Sequence, residues 1–95
     1  MARAFELRDL AGGFGLLSDV TRLGILKMLA AGPKNVTALR DGVGRRQSLV
    51  SHHLGLLRMG RLVEGTRKGK SVMYAIDADG LKELAAAIVK LTPKK

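Results

Sequence analysis

The stretch Arg46-Gln47-Ser48-Leu49-Val50-Ser51-His52-His53-Leu54 holds the residues best suited to chemistry in this chain. On a helix, Val50, Leu54 and Leu57 share one apolar face. Gln47, Ser48, Ser51 and His52 fall together on another face, near the helix start. A glutamine amide matches N6 and N7 of adenine, and a serine hydroxyl adapts to either partner role. The first backbone amides of a helix hold phosphate well, and Arg45 and Arg46 stand just ahead of them. A second cationic group, Arg67-Lys68-Gly69-Lys70, surrounds a tight turn. Three cations on one turn are costly to bury but can reach a flanking phosphate or a minor groove. The chemistry on offer is non-covalent: grip on a phosphate backbone and readout of base edges.

Other chemistries find little footing. There is no cysteine, which excludes disulfides, thiolate metal sites and a catalytic thiol. Ser51 and His52 are sequence neighbours on a helix, with no third group to orient them, so they make no nucleophile and base. No glycine-rich phosphate loop follows a strand. The sequence thus predicts no enzyme, no metal site and no cofactor. His52 and His53 point about 100° apart on a helix and chelate poorly. An imidazole also titrates near neutrality and could switch with pH. The plainer expectation is that His52 meets DNA and His53 packs inward.

The charge supports a polyanionic partner. Lys and Arg total 17 against 8 Asp and Glu, a net charge of +9. From Arg45 to Lys70, seven bases (Arg45, Arg46, Arg58, Arg61, Arg67, Lys68 and Lys70) face one acid, Glu64. A concentrated positive field of this kind attracts nucleic acid. No secretory leader is recognised, since Glu6, Arg8 and Asp9 interrupt any early apolar run. The apolar runs fall far short of the ~20 residues of a membrane span. The expected location is the cytoplasm, with no membrane partner.

These residues must be positioned by a mainly helical fold. With 95 residues, 46% of them hydrophobic, the chain suits one domain, 1–95. Only Phe5, Phe14 and Tyr74 are aromatic, so the core must be aliphatic. Leu7, Leu10, Ala11, Phe14 and Leu17 make a helical stripe over 5–17, weakened by Gly12, Gly13 and Gly15. Ser18 or Asp19 opens a second helix with the stripe Arg22-Ile25-Leu26-Leu29, and Gly32-Pro33 ends it. Asn35 or Thr37 opens a third, closed by Gly42 or Gly44. The fourth runs to about Met59, with Gly60 expected in a left-handed conformation. The period then changes to two strands, Leu62 to Arg67 and Lys70 to Ile76, joined at Lys68-Gly69. A last helix starts near Asp79 and carries Leu81, Leu84, Ala85, Ile88 and Leu91 on one face. Four helices, a basic hairpin and a helix predict a winged helix-turn-helix: 36–59 the helix-turn-helix, 62–76 the wing.

Leu17-Ser18-Asp19-Val20-Thr21-Arg22-Leu23-Gly24-Ile25-Leu26 resembles the ALADPTRLRIL segment of the ArsR/SmtB repressor family. Gln47 to Leu54 resembles that family's QSTVSHHLKVL recognition helix, and Leu62-Val63, Lys68-Gly69-Lys70 and Val72-Met73-Tyr74 fit its wing. The resemblance covers nearly the whole chain. It implies a homodimeric repressor on palindromic double-stranded DNA, with Gln47, Ser48, Ser51 and His52 facing the bases. It also implies a dimer formed by the first and last helices, 5–17 and 79–91, and release by an inducer of unknown kind, small molecule or protein. Two apolar stripes, Leu7, Leu10, Phe14 and Leu17 and then Leu81, Leu84, Ile88 and Leu91, suit that interface. The chain departs from the family at Lys34 to Arg40, where many members place a Cys-x-Cys metal sensor, and at Gly55, where a long side chain is usual. The competing function is a small basic RNA-binding or ribosome-associated module, disfavoured by the scarcity of aromatic residues for base stacking.

Overall fold

The computed structural model describes residues 7–93. Phe5 and Glu6, the expected start of the first helix, lie outside the described residues. In order, the elements are α1 (Leu7–Leu16), α2 (Val20–Leu29), α3 (Val36–Val43), α4 (Gln47–Met59), β1 (Val63–Lys68), β2 (Ser71–Ile76) and α5 (Ala78–Val89). The fold is a winged helix-turn-helix.

Short polar side chains start three of the helices. Asp19, Asn35 and Asp77 sit in extended backbone and accept from the amides of Arg22, Ala38 and Gly80 at 3.0, 2.9 and 3.1 Å. Each satisfies an amide that a helix start otherwise leaves orphaned. The amide of Arg22, first among several influences, holds the Asp19 carboxyl below its ordinary value of 3.8. A carboxyl whose folded value is depressed stabilises the fold fully above its unfolded value and loses that contribution as pH falls through the folded one. Asp19→Ala is therefore expected to melt lower than the parent at neutral pH. The gap should close as pH drops below 3.8. Thermal melts across an acid pH series check it; a constant gap would assign the loss to something other than the ionised cap.

The core forms where the helix stripes meet. Ile25, Leu26 and Leu29 of α2, Leu39 of α3 and Val50, Leu54 and Leu57 of α4 are buried together with Leu62, Val63 and Leu84. Gly44, with φ 69°, ends α3 in the left-handed region and turns the chain into α4. β1 and β2 pair antiparallel from Val63 opposite Ile76 to Lys68 opposite Ser71. The loop is Gly69-Lys70, one residue later than expected. Gly69 has φ 61° and Lys70 is not left-handed, the pattern of a hairpin turn with glycine first. Lys34 and Tyr74 exchange backbone hydrogen bonds of 3.0 and 2.8 Å, which fasten the wing to the loop before α3.

Gly60 does not take the left-handed conformation expected of it. Its φ is −83°, and Arg61 carries the positive φ of 63° instead. The helix closes one residue later than expected: the Leu62 amide donates to the Leu57 carbonyl and the Arg61 amide to the Arg58 carbonyl, which makes Arg61 the left-handed residue. The side chain of Leu16 lies where a Cβ on Gly60 would stand, so glycine there lets α1 approach closely.

Candidate nucleic-acid interface

α4 packs Val50, His53, Leu54 and Leu57 inward. That single choice of face sends Gln47, Ser48, Ser51 and His52 outward, and all four are exposed. Arg46 opens the helix from extended backbone without any side-chain cap. The amide of Leu49 donates to the Arg46 carbonyl at 3.1 Å; those of Gln47 and Ser48 are left for an outside acceptor, and the helix dipole favours an anion there. Arg45 and Arg46 are exposed beside them. On the wing, Arg67 and Lys68 end β1 and Lys70 completes the turn, again all exposed. Gln47, Ser48, Ser51 and His52 thus share the outer face of α4, Arg45 and Arg46 flank its start, and the wing cations occupy the hairpin tip. Among the described residues, no three His, Asp or Glu side chains cluster so as to hold a metal ion.

The exposed side of α4 bears a groove of about 620 Å³, lined by Ser51, His52, Gly55, Leu56, Arg58 and Met59. A Cβ on Gly55 would meet nothing within 4 Å. Glycine inside a helix costs about 1 kcal/mol relative to alanine. Gly55→Ala is expected to stabilise the fold by about that amount, a rise of roughly 4–8 °C in Tm for a domain of this size. Differential scanning calorimetry reads it; a fall in Tm would mean that α4 is packed on this side after all.

The residues expected at a dimer interface fall into three groups. Leu7 and Leu91 are 82% and 71% exposed, and Ile88 is half-exposed. Leu10, Phe14, Leu17 and Leu81 are partly buried against the core. Leu84 is only 7% exposed and belongs to the core of the single chain.

A sequence model for bacterial regulatory proteins of the arsR family matches residues 19–64, from the cap of α2 to the start of β1. The homodimeric winged helix-turn-helix DNA-binding domain of Mb0332 from Mycobacterium bovis superposes with a TM-score of 0.75 at 30% identity, over 96% of this chain and 90% of that one. The chain belongs to the arsR family. Two transcriptional regulators of Mycobacterium tuberculosis are similar to it as well. KmtR is 37% identical over 71 residues, covering 75% of this chain and 55% of KmtR. NmtR is 45% identical over 60 residues, covering 63% of this chain and 50% of NmtR. The chain spans about half the length of these curated relatives.

Two arginines of this arsR-family chain escaped the sequence reading. Arg40, on α3, donates from Nη1 to Gln47 Oε1 at 3.3 Å and from Nε to Asp41 Oδ1 at 3.1 Å. It steadies the amide of Gln47 from a neighbouring helix, and no periodicity within one helix reports such a contact. Arg22 was placed on the α2 stripe with Ile25, Leu26 and Leu29 and given no role of its own. Its guanidinium reaches His53 Nδ1 at 3.1 Å. His53 is 8% exposed and turned inward, while His52 faces solvent, with ring centroids 5.5 Å apart.

Proposed function

We propose that this chain is a sequence-specific DNA-binding repressor that acts as a homodimer on a palindromic site. The observation that carries the reading is the division of α4. Its apolar residues are buried, and Gln47, Ser48, Ser51 and His52 stand exposed at an uncapped helix start flanked by Arg45 and Arg46. In this reading α4 enters the major groove, with Gln47 on an adenine and the serines and His52 on neighbouring edges. Arg67, Lys68 and Lys70 of the wing grip flanking phosphate or minor groove. Residues 36–59 act as the helix-turn-helix and 62–76 as the wing. The terminal helices make the dimer, a reading supported by the exposed Leu7, Ile88 and Leu91 and by a homodimeric relative. Two-fold symmetry then sets half-sites about 34 Å apart. Repression follows from occupying DNA that polymerase needs. An inducer, small molecule or protein, would act by binding more tightly to the dimer whose recognition helices are wrongly spaced. No cofactor enters the mechanism, and the work is cytoplasmic.

The test is selection of duplexes from a random-sequence pool, followed by fluorescence anisotropy on the selected duplex, a scrambled duplex and matched RNA at two salt concentrations. Enrichment of a palindrome bound by two protomers, with far weaker binding to scrambled DNA, supports the reading. Equal and steeply salt-dependent binding to all three would reduce the basic face to a general polyanion grip. Preference for RNA would move the protein to the RNA-binding class.

A further inference from the structure

Arg22 sits where three helices meet, and each arm of its guanidinium is engaged. Nε donates to the Leu16 carbonyl at 2.7 Å and Nη2 to the Gly15 carbonyl at 3.3 Å. Both carbonyls lie in the last turn of α1, where a helix leaves acceptors free of intrahelical partners; the Gly15 carbonyl also accepts from the amide and hydroxyl of Ser18, at 3.1 and 2.7 Å. Nη1 lies 3.1 Å from His53 Nδ1 on α4. Guanidinium only donates, so Nδ1 must accept and the ring proton of His53 must sit on Nε2. Asp19 opens α2 three residues earlier and accepts from the Arg22 amide, so the root of this side chain is fixed as well. The side chain of Leu16 meanwhile packs against Gly60 at the far end of α4. The end of α1 is thereby pinned to the recognition helix at two points, through Arg22 to His53 and through Leu16 to Gly60.

We propose that Arg22 is a positioning residue for DNA recognition, a strut that fixes the recognition helix relative to the dimerisation helix. The inference rests on the dimeric regulator reading and adds to it the part that sets half-site spacing. Each protomer reads one half-site with its own α4. The distance between the two copies of α4 depends on how each is held to α1, because α1 belongs to the interface. Arg22 touches no base. Its loss leaves the contact surface of one α4 intact and loosens the relation between two of them. The penalty falls on simultaneous engagement, which relies on geometry and on effective concentration. It spares the affinity of one protomer for one half-site.

This yields a readout that a general loss of stability would not produce. The probes are the palindromic duplex selected by the wild-type protein and a duplex carrying one of its half-sites. Arg22→Lys keeps the charge but cannot make the three-armed contact. It is expected to weaken binding to the palindrome roughly tenfold or more, with half-site affinity and dimer mass unchanged. His53→Leu removes the acceptor and leaves an apolar side chain in an apolar setting, so it guards against a misfolded arginine variant. It should produce the same selective loss. The double variant should be no worse than Arg22→Lys alone, because the contact that His53→Leu removes is already lost with the arginine. Nitrogen-15 spectra of the wild-type imidazole should place the His53 proton on Nε2, and Arg22→Lys should relax that preference. Equal weakening on palindrome and half-site, additive effects in the double variant, or unchanged affinity in both single variants would overturn the strut. If the wild-type protein enriches no duplex at all, the regulator reading falls and takes this inference with it.

Discussion

Ile88→Glu is expected to convert the proposed dimer into folded monomers and to weaken binding to the proposed palindrome by about a hundredfold or more. Ile88 follows Leu84 by one helical turn on α5. Leu84 is buried in the chain's own core, whereas Ile88 is 50% exposed, and Val89 and Leu91 beyond it are 68% and 71% exposed. Leu7, at the start of the packed neighbour α1, is 82% exposed. Exposed apolar side chains on two adjoining terminal helices suit the proposed two-fold interface. A carboxylate placed there costs little in a monomer, where water solvates it. In a two-fold interface it is buried twice, unpaired, at several kcal/mol per ion. Losing the dimer makes the second half-site a separate bimolecular event, which forfeits an advantage of roughly 10²–10⁴. Sedimentation equilibrium and anisotropy read the two effects separately. A variant that stays dimeric would move the interface away from α5. A monomer that binds the palindrome undiminished would mean that each protomer works alone.

The same α5 stripe marks the boundary of what the sequence makes legible. Leu81, Leu84 and Ile88 share a face of α5 by period; Leu91, expected on the same face of a helix to 91, lies in the turn beyond Val89. The period cannot say what covers the face. The core of the chain takes Leu84 and part of Leu81, then runs out, leaving Ile88 and Leu91 uncovered. Helix starts at Asp19 and Asn35, each one of two local options, are legible because a short acceptor reaches only amides two or three residues on, a strictly local rule; the last helix, expected to start near Asp79, is capped two residues earlier by Asp77. The outward face of α4 is legible for a similar reason: Val50, Leu54 and Leu57 fix the inward face, and the remaining directions follow. The roles of Arg22 and Arg40 are not local. Arg22 bridges 31 residues to His53, and Arg40 reaches from α3 to Gln47 on α4. A guanidinium inside an apolar stripe is a visible anomaly, but its partner depends on how helices cross. Gly60 is the instructive error. Local rules assign it a left-handed cap; the helix instead runs on through Gly60 and closes with the Leu62 amide on the Leu57 carbonyl, so Arg61 bears the positive φ.

Gly80→Ala is expected to cost about 3 kcal/mol or more, the upper range for overpacking a site that cannot yield. Gly80 is buried in the first turn of α5, and a Cβ there would overlap the carbonyl oxygen of Arg61. Neither side can give easily. Arg61 is already in the left-handed region, which costs a non-glycine residue roughly 1–2 kcal/mol. The Gly80 amide is held by Asp77 at 3.1 Å, and the Asp77 amide by the Leu62 carbonyl at 2.9 Å. Alanine must therefore push α5 off the end of α4, opening the packing around Leu84. At roughly 4–8 °C per kcal/mol, the fall in Tm exceeds about 10 °C. Melts should be compared at one protomer concentration, because association itself stabilises the folded chain. Gly55→Ala supplies the internal contrast: the same substitution, also within a helix, with the opposite sign because space is open there. Arg61→Gly should not rescue Gly80→Ala, since it relieves the φ of Arg61 but leaves its carbonyl in place. A Gly80→Ala protein as stable as the parent would show that α5 is not seated against Arg61, and the orientation of the proposed dimer surface on α5 would have to be redrawn with it.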